Sequence, residues 1–311
     1  MTIAVLKPGL QTTIQAGPRT GWRHLGVPAS GAADTLSLAL ANRLVGNAWN
    51  ASALEASLLG PTLRFEQPAA FAVTGAIAAV SLNGDDVALH ETVIAGAGDE
   101  LSVGATEIGA RSYIAIAGGI AADDVLGSAS TYLPAGFGGL QGRALEQGDL
   151  LGTTAPGCLP LMTPDEFRLP MLSSWALRAC PSFEANQLES RDDLFEKNWT
   201  IGRRADRIGI QLEGRTLDIA SDGRMPSAAV FPGTVQCPEG GTPYVLSVDA
   251  GTVGGYPRVA QVARADRHLL GQLRPGDRVR FLRREAAGAI DELRAKLDYW
   301  RPWLEDIGNI I

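Results

Sequence analysis

The 311-residue sequence predicts a mainly β protein of two β-barrel-like domains, with a few short helices and a C-terminal helix. Three observations carry this expectation. The chain exceeds the size at which a single hydrophobic core usually stops growing, so two domains are the default. Its apolar residues fall largely in short alternating runs bounded by glycine and proline, of which there are 37 and 18. Short strands with turns at regular spacing favour closed or partly closed barrels over an open sheet. A Gly-Asp turn before a strand also recurs at Gly98-Asp99, Gly148-Asp149 and Gly276-Asp277, the last two near the ends of the two halves.

Taken in order, residues 1–7 alternate as a strand and lack the basic region and apolar run of a signal peptide, so a cytoplasmic protein is expected. Asp34 is placed to cap a helix over 35–45, where Leu36, Leu40 and Leu44 recur at i+4 and Gly46 supplies the stop. Ala78, Val80 and Leu82 alternate into Asn83-Gly84, a two-residue hairpin signal, and Val87 and Leu89 resume beyond it. Residues 113–117 form a strand that ends on Gly118-Gly119. Prolines 156, 160, 164 and 170 mark a link between a first domain, 1–155, and a second, 171–285. Strands over 244–248 and 278–282 follow, and Ala286–Trp300 is rich in helix formers and closed by Pro302, giving a C-terminal helix and tail over 286–311.

Composition excludes several classes of function. A net charge of −7 without a basic stripe argues against nucleic acid and anionic membrane as partners. No apolar run approaches the roughly 20 residues that span a bilayer. Cys158, Cys180 and Cys237 are widely spaced, as expected of reduced thiols rather than a disulfide framework. There is no phosphate-binding Gly-x4-Gly-Lys loop, no glycine-rich dinucleotide turn, and no Gly-x-Ser-x-Gly around Ser30 or Ser130. His24, His90 and His268 lie far apart with no close cysteine pair, so no metal site is expected. Lysine occurs only at 7, 197 and 296, none in a biotin-attachment motif.

Four polar loops remain. Residues 17–34 pack glycines and prolines beside Arg19, Arg23, His24, Ser30 and Asp34; a binding loop and a structured helix-capping turn are both open readings. Residues 127–132 contain Ser128 and Ser130, in a site or a solvated serine turn. Asp206 and Arg207 adjoin, as a structural pair in which Asp206 neutralises Arg207 or as an anion site built on Arg207. At 249–257 a strand ends on Asp249, and the loop offers Thr252, the amides of Gly254 and Gly255, and the Tyr256 phenol, a set suited to anions or amides unless it is a wide turn. Loops 17–34 and 249–257 are expected to face a cleft.

These residues resemble a known family. Residues 19–34, Ala41-Asn42-Arg43-Leu44-Val45-Gly46-Asn47, Ala53-Leu54-Glu55 and Gly60-Pro61-Thr62-Leu63-Arg64-Phe65 are similar to the opening of the C-type subunit of 5-oxoprolinase, also called allophanate hydrolase subunit 2 or the biotin-dependent carboxyltransferase family. The likeness continues through Leu126 to Tyr132, Gly138-Gly139, Gly142-Arg143, Asp206-Arg207-Ile208-Gly209, Pro232-Gly233-Thr234-Val235-Gln236 and Gly254-Gly255-Tyr256-Pro257. It implies two domains of cyclophilin-like type. The catalytic candidates are Asp249, whose carboxylate would accept amide N–H bonds, and Thr252 and Tyr256, whose hydroxyls would steady the carbonyl oxygen. The substrate-binding candidates are Arg19, His24, Ser30, Asp34, Ser130, Arg207, Gln236, Gly254 and Gly255.

The chain departs from the family in two places. Many members carry Gly-Pro-Gln-x-Asp at the start of the second half, where this chain reads 179–187 as Ala-Cys-Pro-Ser-Phe-Glu-Ala-Asn-Gln and keeps only Pro181; Val253 stands where a second Thr is usual. The stretch around Asp222, Gly223, Arg224 and Met225 belongs to a variable region.

The resemblance implies one part of an ATP-dependent 5-oxoprolinase that opens 5-oxoproline to glutamate together with two partner proteins, a B-type and an A-type subunit. ATP would act through the assembled complex, with no cofactor covalently bound to this chain. An alternative is a carboxyltransferase acting on urea or a related amide with biotin carried on another protein. A second alternative is a regulator antagonising a histidine-kinase inhibitor. The absence of a biotin-carrier segment favours the first.

Overall fold

The computed structural model describes residues 1–154, 158–220 and 225–311. Pro156 of the proline-rich link and Asp222, Gly223 and Arg224 of the variable region lie outside the described residues. The chain divides into two compact units. One comprises Met1–Arg19, Ser30–Met171 and Trp300–Ile310; the other comprises Thr20–Ala29, Leu172–Tyr299 and Ile311.

The first unit is one curled antiparallel sheet of nine strands with a helix on its outer face. Its strands are β1 (Thr2–Lys7), β2 (Gln11–Gln15), β3 (Ala53–Ser57), β4 (Thr62–Phe65), β5 (Ala69–Leu82), β6 (Asp85–Asp86), β7 (Thr92–Ala95), β8 (Glu100–Ile116) and β9 (Leu150–Gly152). They run in the order β2-β3-β8-β4-β1-β9, and β5 pairs along β8 and with β6 and β7. The 17-residue β8 divides its far edge: Arg111 to Ile114 pair with β3, while Glu100 to Ser102 pair with β4. Register shifts along β5 and β8 curl the sheet, as bulges do. Alternation then sorts the side chains. Phe71, Val73, Ile114 and Ile116 point into a core with Ile3, Val5, Leu63, Phe65 and Leu151. The intervening Ala70, Ala72, Tyr113 and Ala115 receive Leu38, Ala41 and Leu44 of α1 (Thr35–Leu44). Three alanines on that face let the helix approach closely.

The second unit is a closed barrel with a small ribbon. Its strands are β10 (Ser174–Pro181), β11 (Trp199–Ala205), β12 (Gly209–Glu213), β13 (Ala228–Ala229), β14 (Thr234–Gln236), β15 (Tyr244–Leu246), β16 (Val253–Gly254), β17 (Arg258–Val262) and β18 (Arg278–Arg283). The barrel order is β10-β17-β14-β15-β12-β11-β18, closed by parallel pairing of β10 with β18, and β13 pairs with β16 apart from it. Trp175, Leu177, Ala179, Trp199, Val235, Val245, Val259 and Phe281 are buried in it. After the single-turn α2 (Asp193–Glu196), α3 (Ala286–Trp300) is held by polar contacts rather than an apolar stripe: Lys296 donates to the Ala265 carbonyl at 2.7 Å and faces His268 Nε2 at 3.2 Å, and Glu292 pairs with Arg284 at 2.8 Å. A last short helix, α4 (Ile307–Ile310), returns to the first unit.

All three Gly-Asp turns use one device. The glycine takes a positive φ (87°, 93° and 95°), and the aspartate accepts the backbone N–H three residues earlier: Gly96 to Asp99 at 2.6 Å, Glu146 to Asp149 at 2.7 Å, Arg274 to Asp277 at 3.2 Å. β8, β9 and β18 each start on the next residue. At Asn83 (φ 55°) and Gly84 (φ 89°) the left-handed pair closes β5 onto β6 as the hairpin signal requires. All three cysteines are free thiols, and among the described residues no helix is long and apolar enough to cross a membrane.

Candidate functional site

In the barrel unit, the loop after β15 is anchored by a buried ion pair. The Arg207 guanidinium donates to both Asp249 oxygens, Nε to Oδ2 at 2.7 Å and Nη2 to Oδ1 at 3.1 Å, and the Asp249 N–H donates to the Arg207 carbonyl at 2.7 Å. Asp206 does not neutralise Arg207. Its Oδ1 accepts from the N–H groups of Ile208 (2.7 Å) and Gly209 (3.0 Å), closing the turn into β12.

Beyond Asp249 the chain crosses to β16. The Thr252 carbonyl accepts from the Val230 N–H at 3.1 Å, joining this loop to the residue that follows β13. The buried Gln236 side chain on β14 donates to the Tyr256 carbonyl at 3.1 Å. Gly254 lies under that carboxamide, where an added Cβ would sit 2.6 Å from Gln236 Nε2 and would push the Gln236 side chain aside. Gly255 meets no such restriction, its Cβ position lying 3.5 Å from the nearest atom. The Tyr256 ring is half exposed. Gln236, Gly254 and Tyr256 therefore form one local group, and Arg207 with Asp249 another. Among the described residues no hydrogen bond joins Asp249 to Thr252 or Tyr256.

Beside this loop is a pocket of about 250 Å³ walled by Phe183, Glu184, Ala229, Phe231, Arg258 and Gln261. Glu184 and Arg258 form a two-pronged pair, Nε to Oε2 at 2.9 Å with a second bond from Nη2 to Oε1. The pair holds the Glu184 carboxyl below the usual carboxylate range and raises Arg258. Arg258 Nη1 also donates to the Ala229 carbonyl at 2.9 Å, tying the pocket to the β13–β16 ribbon. Thr234 Oγ1 donates to Gln261 Oε1 at 2.8 Å, and Gln261 Nε2 to the Pro232 carbonyl at 2.9 Å. Glu184 escaped the sequence reading although a signal was present: it stands three residues past Pro181, at the spacing of the aspartate in Gly-Pro-Gln-x-Asp, so the acid is kept with one more methylene.

Loop 17–34 is shared between the units. Arg19 is fully buried in the first, donating to the carbonyls of Val125 (2.7 Å), Ser128 (3.2 Å) and Ser130 (2.9 Å) while its guanidinium lies 4.8 Å from the Phe137 ring centre. Ser130 Oγ accepts from the Ala16 N–H at 2.9 Å. Asp34 caps α1, accepting from the Ser37 N–H at 3.1 Å and the Ser37 hydroxyl at 2.5 Å, and its own N–H donates to Tyr113 Oη at 2.7 Å. Tyr113 donates in turn to Glu55 at 2.8 Å, which also accepts from the Ala33 N–H at 2.8 Å and pairs with Arg111 at 3.4 Å. These contacts hold the loop in shape. Ser30 sits at φ 51° with a buried hydroxyl that finds no partner among the described residues.

In the barrel unit, Arg23–Leu25 form a 3-10 turn that exposes His24. From that turn Arg23 donates to the Val230 carbonyl and lies 5.0 Å from the Phe231 ring centre. This part of loop 17–34 is therefore one peptide away from Thr252.

Similarity to known proteins agrees with this architecture. The carboxyltransferase domain family, subdomain A and B, matches residues 25–283. The chain is 36% identical over 303 residues to the C-type subunit of 5-oxoprolinase from Escherichia coli K12, covering 96% of each, and 34% identical over 315 residues to that of Haemophilus influenzae, covering 95% and 99%. The crystal structure of the K. lactis urea amidolyase superimposes with a TM-score of 0.90 at 30% identity, over 96% of this chain but 19% of that one. The chain thus belongs to the carboxyltransferase domain family, subdomain A and B.

Proposed function

We propose that the chain is the C-type subunit of a 5-oxoprolinase, acting with its A-type and B-type partners to open 5-oxoproline to glutamate at the expense of ATP. The observation that carries this reading is the end-to-end match to the two bacterial C-type subunits, each covered over 96% or more of its length. Its counterpart in urea amidolyase is instead one part of a far longer chain.

The site is the barrel-unit face between loop 249–257 and the neighbouring pocket. Opening a lactam builds negative charge on its carbonyl oxygen, and fixed donors aimed at that oxygen lower the barrier. The Tyr256 hydroxyl and the amides of Gly254 and Gly255 supply such donors, and Gln236 fixes the backbone that carries them. Asp249 uses one acceptor position on each oxygen for Arg207, and a carboxylate has about four, so lone pairs remain for an amide N–H. Arg207 is then a positioning residue.

ATP is assigned to the partner proteins. Lys197 pairs with Asp193, and Lys296 donates to the Ala265 carbonyl, so neither ammonium is turned to a phosphate. The test is to mix the chain with its A-type and B-type partners and follow ATP hydrolysis and glutamate release. Turnover with 5-oxoproline and none with urea is expected. Urea-dependent carboxyl transfer from a biotinylated carrier would replace this reading with the carboxyltransferase alternative.

A further inference from the structure

The charges around the barrel-unit pocket do not balance. Glu184 and Arg258 cancel one another. Arg23, stacked on the Phe231 wall, makes one hydrogen bond, to the Val230 carbonyl, and no ion pair among the described residues. A guanidinium carries five N–H donors, so most of its donors are unused. Burial pulls its pKa down with no carboxylate to offset the cost. The Arg23 guanidinium thus stands against a wall of this small pocket with no carboxylate partner among the described residues, an arrangement that an anionic ligand would complete.

We infer that Arg23 recognises a carboxylate on the substrate, making this pocket selective for small amides that carry a carboxylate over neutral ones. This rests on the reading of the barrel-unit face as the substrate site. The pocket, smaller than those that hold drug-sized ligands, suits a compact ring, and the Phe231 face offers a flat apolar wall. Arg23 brings a planar fork of donors that matches a carboxylate. Urea offers no anionic group to it.

The experiment measures equilibrium binding to the full chain of three probes: 5-oxoproline, 2-pyrrolidone (the same ring without the carboxylate) and urea. Wild type is expected to bind 5-oxoproline most tightly. Arg23→Gln should weaken that binding by about ten- to a hundred-fold and leave 2-pyrrolidone unchanged, whereas Arg23→Lys, which keeps the charge, should recover part of the loss. Equal weakening of both ring probes would mark Arg23 as merely structural and overturn the inference, as would 2-pyrrolidone binding as tightly as 5-oxoproline, or no binding of any carboxylate. Arg23-dependent binding of another small carboxylate, N-acetylglycine, with none of 5-oxoproline would keep the anion site and refute the 5-oxoprolinase reading instead.

Discussion

Asp249 joins two demands in one side chain. Its carboxylate is proposed to meet an amide N–H, yet it also neutralises a buried arginine 42 residues away. Losing a charge-assisted hydrogen bond typically costs about 1.5–3 kcal/mol. Asp249→Asn is therefore expected to lower the unfolding free energy by about 2 kcal/mol, measured by urea denaturation, and to cut turnover of the folded complex by about 10²-fold. A stability loss with unchanged turnover would reduce Asp249 to a structural role. His90 gives a cleaner reading at the same scale. Burial, reinforced by the charge of Arg168, pulls its pKa from 6.5 to about 4. The unfolded chain then binds the extra proton between those values, so this contribution is complete above pH 6.5 and is lost as pH falls towards 4. A shift of that size corresponds to about 3 kcal/mol. His90 sits at φ 66°, a conformation asparagine tolerates, so His90→Asn should flatten stability between pH 6.5 and 4, while any contribution from the buried His268, whose pKa is also lowered, persists. An unchanged slope would exclude His90 as its source.

At the scale of elements, the structure separates what neighbouring residues determine from what distant ones do. Asp34 capping α1 was legible because the side chain and the N–H it accepts are three residues apart. Asp34→Ala removes that cap and is expected to cost about 1–2 kcal/mol in thermal or chemical unfolding; a loss near zero would mean that Tyr113 and Glu55 alone fix the helix start. The Gly-Asp turns, the Asn83-Gly84 hairpin and the bounds of α3 were legible for the same local reason. The parallel closure of β10 on β18 and the split pairing of β8 were not, since each joins segments far apart in sequence. The site divides likewise. Asp206 is taken up by its own turn, accepting from the Ile208 and Gly209 N–H groups, while Arg207 finds its partner 42 residues on, in the loop after β15. Gln236 over Gly254 left only a glycine as its trace, and Arg23 at Val230 spans 207 residues, beyond any local pattern.

For the whole molecule, the proposed division of labour makes the purified chain catalytically silent. Opening 5-oxoproline is uphill near neutrality and has to be coupled to ATP. The chain has no Gly-x4-Gly-Lys loop, and of its three lysines, Lys197 and Lys296 are engaged within the barrel unit. On the proposed reading it offers a small pocket, the half-exposed Tyr256 phenol and Arg23, which has no carboxylate partner among the described residues. That is equipment for holding and polarising a small amide, not for activating it with phosphate. The chain alone should therefore bind 5-oxoproline yet release no glutamate with ATP present, and activity should appear when the A-type and B-type partners are both added. Leaving out any one of the three should abolish it, which single-omission assays at matched concentrations would measure. Robust glutamate release by the lone chain would overturn this division. Silence of the complete mixture, with 5-oxoproline still bound, would point to a binding or regulatory role, because recognition would then persist without the chemistry.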